Sequence, residues 1–261
     1  MKIALIGYGK MGRRLEETAA FQEHETVAVI DPYTKEKTSL LGALIEESIA
    51  DSKNLGKADV ALEFSKPDVA FENLKRLSDM QMPTVAGTTN WYDKLAEFKT
   101  MVETNGSSAV YAPNFSLGVN LFYRIAQYAA KLYNPFEECD VGGFEIHHKD
   151  KQESPSGTAK VLVERVMSEF KRKKRVVWEA VDRKIEAEEL HFTSMRIGAV
   201  PGTHSLIFDS YADNVQITHI ARNRYGFTHG ALSAAEWLIA KPRKGVFTID
   251  DVLNDLTLQA R

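Results

Sequence analysis

The sequence predicts an α/β protein, with a doubly wound parallel sheet followed by a second α+β domain on a mixed or antiparallel sheet. Three observations predict it. Strand-sized apolar runs alternate with helical periodicity through the first 111 residues, the pattern of a parallel sheet with helices on both faces. The first run leads straight into a glycine-rich turn and a helix. Beyond residue 190, alternating runs succeed one another with no helix between them, as in a mixed or antiparallel sheet.

Taken in order, Lys2–Ile6 reads as a strand and Arg13–Phe21 as a helix after three glycines. Strands follow at Thr26–Asp31, Ala58–Phe64, Pro83–Ala86 and Ser108–Tyr111. Asp68–Met80 and Tyr92–Val102 carry apolar residues at helical spacing. A long amphipathic helix, Leu117–Tyr133, stops at Asn134-Pro135. The second half opens with a strand at Val141–His148, a polar loop and a helix at Thr158–Phe170, whose apolar face is Leu162, Val163, Val166, Met167 and Phe170. Strands are expected at Phe192–Arg196, His204–Asp209 and Asn214–Ala221, and an alanine-rich helix at Gly230–Ala240 can return to the first domain.

Composition narrows the class. A chain of 261 residues, 44% hydrophobic and 26% charged, is that of an ordinary globular protein rather than a disordered or fibrous one. Its 33 basic and 36 acidic side chains leave a formal charge of −3, without the basic surplus that nucleic acid demands. The run Lys171-Arg172-Lys173-Lys174-Arg175 is read as a solvated helix end, where cations complement the dipole. Cys139 has no cysteine to pair with. No apolar stretch approaches the ~20 residues of a membrane span, and the first residues lack the pattern of a signal peptide. A cytoplasmic protein with no membrane partner is expected.

Gly7-Tyr8-Gly9-Lys10-Met11-Gly12 fits G-x-G-x-x-G between a strand and a helix. The first glycine permits the turn, the second lets backbone approach a pyrophosphate, and the third allows close helix–strand packing. Free N–H groups at the helix start complete an anion site. A plain glycine turn would look the same, but Asp31 ends the second strand 19 residues past Gly12 (31 − 12), near the ~20 expected of an acid that reads a ribose. The combination predicts a Rossmann-type dinucleotide site.

The densest chemistry lies between Glu145 and Ala159. His147 and His148 end a strand, Lys151 follows, and Ser156-Gly157-Thr158 opens a helix, offering hydroxyls, N–H groups and a positive dipole end. Such a site suits carboxylates as well as phosphate, and imidazole and ammonium groups beside it can donate protons. Pro155-Ser156-Gly157-Thr158 also fits an ordinary helix start capped by Ser156 or Thr158. His191, His204, His219 and His229 add imidazoles, yet no metal site is expected, because no H-x-x-x-H spacing or cysteine partner is present. The absence of G-x-S-x-G argues against a serine hydrolase.

His147-His148-x-x-Lys151-x-x-x-Pro155-Ser156-Gly157-Thr158-Ala159 resembles the signature of the bacterial 4-hydroxy-tetrahydrodipicolinate (dihydrodipicolinate) reductase family. Gly87-Thr88-Thr89 resembles that family's Gly-Thr-Thr segment, and Ala112-Pro113-Asn114-Phe115 the strand beside its nicotinamide. Arg196-x-Gly198-x-x-x-Gly202-x-His204 and Ile217-Thr218-His219 resemble later segments, while Glu153 stands where the family usually has Asp. The resemblance implies an oxidoreductase of the diaminopimelate route to lysine, using NADH or NADPH on a small cyclic dicarboxylate. It implies His147 as acid/base and Lys151 as proton donor, with His148, Ser156, Gly157 and Thr158 holding substrate. It further implies a homotetramer built through the second domain's sheet, and hinges near Gly118 and Gly226. The expected domains are 1–118 with 227–261 for the dinucleotide and 119–226 for substrate and oligomerisation. Asp31 is expected to disfavour NADPH moderately, with Lys35 and Lys37 on a flexible loop able to offset it. The alternatives are another reductase of this architecture acting on aspartate or an amino acid, and a redox-sensing protein that has lost catalysis.

Overall fold

The computed structural model describes residues 1–258. The chain forms two compact units, Met1–Ser116 with the segment from Tyr225 onward, and Leu117–Arg224.

In the first unit β1 (Lys2–Ile6), α1 (Lys10–Phe21), β2 (Glu25–Ile30), β3 (Ile45–Glu46), β4 (Val60–Glu63), α2 (Pro67–Asp79), β5 (Thr84–Ala86), α3 (Leu95–Asn105) and β6 (Ser108–Tyr111) follow in order. The second unit holds α4 (Leu117–Tyr133), β7 (Asp140–His147), α5 (Gly157–Glu169), β8 (Arg175–Val177), β9 (Glu189–Arg196), β10 (Thr203–Asp209) and β11 (Asn214–Ile220). The chain then adds α6 (Tyr225–Ile239), β12 (Gly245–Thr248) and α7 (Ile249–Leu258) to the first unit.

The first sheet has seven parallel strands in the order β12-β6-β5-β4-β1-β2-β3. Side chains alternate across it. Ala4, Ile6, Ala28, Ile30 and Ala61 pack with Leu77 of α2, and the intervening Ile3, Leu5, Val29, Val60 and Leu62 are buried on the opposite face. A sheet covered on both faces accounts for strands that read as continuous apolar runs. Helix α6 packs against α1 and against β4, β5 and β6.

The second sheet is mixed, in the order β11-β10-β7-β9-β8. β10 runs antiparallel to β7 and β11, and β9 parallel to β7 and β8. Helices α4 and α5 cover one face through Phe122, Tyr123, Leu162, Val166 and the sheet residues Leu190, Phe192, Leu206 and Phe208. Burying each such Leu or Phe contributes about 1.5–3 kcal/mol. The architecture is the one expected, with the second sheet mixed.

The structure departs from expectation in three respects. Helix α1 begins at Lys10 with Gly9 as its N-cap, because the glycine loop and the helix start are one structure. Strands β3 and β8 are only two and three residues long, and strand β12 and helix α7 lie beyond the last element expected. The basic run is not a solvated helix end. Helix α5 stops at Glu169, and Lys173 is 4% exposed, its Nζ donating to the carbonyls of Ala187 and Glu189 and pairing with Asp140. Arg172 donates to the carbonyls of Phe136, Glu137 and Cys139, while Arg175 opens β8 and pairs with Glu188 and Glu189. Lys173 satisfies a buried carbonyl, and with Arg172 and Arg175 it ties the connection between α5 and β9 to its surroundings.

Candidate active site

The glycine loop is built as the spacing requires. Gly7 has φ +94°, and a Cβ there would stand 2.4 Å from the Phe64 carbonyl oxygen. A Cβ on Gly12 would lie 2.3 Å from the Gly7 carbonyl oxygen, so the end of β4 can approach the loop only with glycine at position 7, and α1 can approach it only with glycine at position 12. Gly9 faces open space, and no side chain caps the start of α1, leaving its first N–H groups for an anion.

Asp31 organises this end of the unit. Its Oδ2 accepts from Tyr8 N at 2.6 Å, and its Oδ1 from Tyr33 N at 2.8 Å and Thr34 N at 3.2 Å. A cavity of about 430 Å³ opens here, lined by Gly7, Tyr8, Gly9 and Asp31 together with Lys66 and Arg76. Lys66 Nζ sits 3.5 Å from the centre of the Tyr33 ring. A second cavity of about 360 Å³ is lined by Met11, Gly87, Thr88, Thr89 and the whole run Ala112–Phe115. Phe64 and Ser65, at the C-terminal end of β4, line both. The expected cofactor residues therefore line two adjoining cavities, except Lys10 and Gly12, which line neither. Sequence reasoning missed Phe64, Ser65 and Lys66. Their signal was positional, since ligands of parallel sheets collect beyond the carboxyl ends of the strands.

The Tyr8 side chain turns inward. It is buried, its hydroxyl donates to Glu16, and Leu40 N donates to it at 2.7 Å. Burial and the Glu16 carboxylate push its pKa up to about 12. Ser39 donates to the other Glu16 oxygen, its own hydroxyl accepts from Ala43 N at 3.0 Å, and Ile45 N bonds Lys37 O at 3.0 Å. Arg13 pairs with Glu36 at 2.8 Å. The segment bearing Lys35 and Lys37 is thus anchored at both ends, not the flexible loop that its charge and polarity suggest.

In the second unit the chemistry gathers where β7 meets α5. Glu145 and His147 are two apart on β7 and so share a face. His147 is buried and His148, just beyond the strand, is half-buried. The loop to α5 is stapled by Arg196, which donates to Lys151 O at 3.3 Å and Glu153 O at 2.6 Å. Lys151 Nζ lies 3.4 Å from Glu153 Oε2, so the residue that departs from the family pattern faces the Lys151 ammonium. Ser156 caps α5, its hydroxyl accepting from Ala159 N at 3.1 Å. Gly157 is exposed and Thr158 half-buried at the open helix start.

His204 of β10 stands against His147, ring centres 5.1 Å apart. Burial lowers the His147 pKa to about 4, with Glu145 partly opposing the shift, so the imidazole is neutral near pH 7. Donor atoms of Glu145, His147 and His204 all lie within 4.8 Å of one another, a grouping that spacing could not reveal because strand pairing makes it. The Arg196 guanidinium, 3.1 Å from Glu145 Oε1, supplies the positive charge there.

Residues 1–115 match the family described as Dihydrodipicolinate reductase, N-terminus, and residues 118–253 match Dihydrodipicolinate reductase, C-terminus. The 4-hydroxy-tetrahydrodipicolinate reductase of Christiangramia forsetii is 36% identical over 98% of this chain and 99% of its own. That of Staphylococcus aureus is 33% identical over 97% of this chain and 100% of its own. Among solved structures, a dipicolinate-bound dihydrodipicolinate reductase from Paenisporosarcina sp. TG-14 shares the fold with TM-score 0.77 at 20% identity, over 95% of this chain and 97% of that one. An engineered D-amino acid dehydrogenase bound to NADP+ superposes less well, with TM-score 0.58 at 13% identity over 95% and 93%. Two family matches that between them span nearly the whole chain, and relatives above 30% identity over almost all of it, place this protein in the dihydrodipicolinate reductase family.

Proposed function

We propose that this protein is an NAD(P)H-dependent oxidoreductase that reduces 4-hydroxy-tetrahydrodipicolinate to tetrahydrodipicolinate in the diaminopimelate route of lysine biosynthesis. The observation that carries the reading is the second unit's combination of an open helix start at Gly157 and Thr158 with His147, His148 and Lys151 on the strand and loop leading to it. A dianionic ring needs cationic and N–H partners, and reduction needs a proton. When bound, a reduced nicotinamide would supply a hydride from its C4, and with one proton the ring would lose its 4-hydroxyl as water, which balances the change from 4-hydroxy-tetrahydrodipicolinate to tetrahydrodipicolinate.

The first unit's residues fit that cofactor. Gly9 and the uncapped start of α1 receive the pyrophosphate, Asp31 the ribose, and Thr88, Thr89 and Ala112–Phe115 line the cavity suited to the nicotinamide. In the second unit, Gly157 and Thr158 bind one carboxylate and His148 helps to neutralise the other. Ser156 shapes the loop, and Lys151 delivers the proton. His147, neutral before substrate arrives, acts as acid/base once the dianion offsets the effect of burial. Domain roles follow: residues 1–118 and 227–261 take the cofactor, and 119–226 take the substrate and make the oligomer.

Among the described residues no helix is long and apolar enough to cross a membrane, in keeping with a cytoplasmic enzyme. The sheet face of the second unit turned away from its helices carries Phe144, Ile146, Met195, Ile207 and Ile220, with Met195 and Ile220 exposed. This face supports a homotetramer assembled through the sheet, and light scattering should give four chains per particle. A monomer would exclude it.

The direct test is oxidation of NADH with 4-hydroxy-tetrahydrodipicolinate generated in situ. Turnover is expected, and pyridine-2,6-dicarboxylate should compete with substrate but not with NADH. Thr158→Val keeps the size and removes a hydroxyl, so kcat/KM should fall by about 5–150-fold, the equivalent of 1–3 kcal/mol for an unpaired polar group. No turnover, or competition against NADH, would overturn the reading.

A further inference from the structure

We infer that Glu145 is the positioning residue of the second unit's site, a buried carboxylate that fixes the tautomer of His147 and commits Ser156 so that the open start of α5 is left to substrate. The inference deepens the proposed function and rests on it for its kinetic consequences.

Strand register places Glu145 opposite His204 on one neighbour and Ser194 on the other. Its side chain is 0% exposed. Oε1 accepts from Ser156 N at 3.0 Å, Ser194 Oγ at 2.9 Å and Arg196 Nη2 at 3.1 Å. Oε2 accepts from Ser156 Oγ, and it lies 3.3 Å from His204 Nε2 and 3.5 Å from His147 Nδ1. A buried carboxylate without partners would be expelled or neutralised. Here burial opposes ionisation, but the bonds from His204, Ser156 and Ser194 outweigh it and hold the carboxyl well below the usual range.

An anion with every lone pair approached by a donor dictates where protons sit on its neighbours. The imidazole nitrogen facing it carries the hydrogen, which is Nδ1 on His147 and Nε2 on His204. His147 Nδ1 is buried and makes no hydrogen bond within the chain, and Glu145 Oε2 stands 3.5 Å from it as the anion that favours a hydrogen on that nitrogen. Its Nε2 then keeps a lone pair on the side of Gly202, where an added Cβ would stand 3.1 Å away. Gly202 has φ +152°, so both the backbone and the ring favour glycine there.

Ser156 is equally determined. Its N–H and its hydroxyl hydrogen both go to Glu145, and its oxygen faces Ala159 N and, at 3.1 Å, His204 Nε2. Nothing on Ser156 is left for a ligand. The donors that remain at the helix start are Gly157 N and Thr158 N, with the Thr158 hydroxyl. Glu145 therefore sets both halves of the site, the base nitrogen and the carboxylate cradle. A divalent cation held by Glu145, His147 and His204 is the competing occupant. It is disfavoured because the Arg196 guanidinium and the Ser156 donors already point at both oxygens.

The test reads the tautomer directly, by two-bond nitrogen–proton correlation of the histidine rings in the 15N-labelled full-length protein near neutral pH. Wild type should show His147 protonated at Nδ1. Glu145→Gln should move His147 toward the Nε2–H form and lower kcat by about 10²-fold, within the range of about 10–10⁴-fold seen when orienting partners of functional histidines are replaced. NADH affinity should be unchanged, and Glu145→Asp should restore part of the Nδ1–H population and of the rate. Wild-type His147 found as the Nε2–H tautomer or as imidazolium overturns the inference without any variant, so a poorly folding Glu145→Gln cannot shelter it. Unaltered tautomer and kcat in folded Glu145→Gln also overturn it, as does stoichiometric Zn²⁺ binding that quenches both ring signals. If wild type shows the Nδ1–H form and Glu145→Gln shifts it while no substrate turns over, the positioning role stands and the reaction assigned above fails.

Discussion

Replacing Lys151 by methionine should lower kcat by about 10²–10⁴-fold, the usual contribution of a general acid, and leave NADH affinity unchanged. The two lie in different compact units: Lys151 falls within Leu117–Arg224, whereas the glycine loop and Asp31 belong to the other. The division of labour with His147 makes the prediction sharper. His147 is neutral near pH 7, because burial brings its pKa to about 4 despite the opposing effect of Glu145. In the free enzyme it is no proton store, and Lys151 bears the transferable charge. Lys151→Met should therefore act mainly on kcat. His147→Gln should raise KM for substrate and lower kcat together, because it removes a partner of the dianion as well as an acid/base group. The double variant should fall short of the product of the two effects, since groups that act as a unit are not additive. The check is steady-state kinetics on all three variants, with NADH binding measured by fluorescence. Near-wild-type kcat/KM in either single variant would remove that residue from the mechanism.

The two parts of the molecule were not equally legible. Residues of the first unit act through backbone and local geometry: Gly7, Gly12 and Asp31 lie within one strand–turn–helix–strand unit, and their spacing alone constrains where they go. The second site depends on strand pairing instead. His147 and Lys151 stood out as residue types, but Glu145 did not, because its importance comes from His204 and Ser194 lying opposite it in the sheet. A pair 59 residues apart (204 − 145) leaves no local periodicity to read. The same limit explains the basic run. Five successive cations look solvated until the fold brings the carbonyls of Ala187 and Glu189 to Lys173. The segment carrying Lys35 and Lys37 looked loose for a similar reason, since its anchors, Tyr8 and Glu16, lie earlier in the chain and bury their polar ends only once α1 has packed.

Cofactor choice is the second large effect, and the anchored segment changes how it is argued. Asp31 already accepts three backbone N–H groups. A carboxylate offers about four lone-pair sites, so capacity remains for a ribose hydroxyl of NADH. A 2′-phosphate, carrying a charge of about −1.5 to −2, would meet that carboxylate instead. At 4 Å a pair of unit charges repels by about 1 kcal/mol in water and about 4 kcal/mol at an effective dielectric of 20. The cations that could offset this are partly engaged. Arg13 pairs with Glu36 and lies over the Tyr8 ring, Lys66 sits on the Tyr33 ring, and Lys35 and Lys37 ride on an anchored segment. Lys66 and Arg76 nonetheless line the cavity, so NADPH should be used, with NADH favoured moderately. Asp31→Ser should lower kcat/KM for NADH by about 10–150-fold, as expected for losing a hydrogen bond to a charged acceptor worth about 1.5–3 kcal/mol. Part of that loss comes from the amides of Tyr8, Tyr33 and Thr34, which a single hydroxyl cannot all satisfy, so the glycine loop itself loosens. For NADPH the removed repulsion works against the loosened loop, and the ratio of the two kcat/KM values should swing toward NADPH. That swing should shrink as salt screens the phosphate. The measurement is kcat/KM for both cofactors at low and high ionic strength, in wild type and Asp31→Ser. A strong wild-type preference for NADPH that the substitution leaves unchanged would show that Asp31 holds the loop but does not read the ribose.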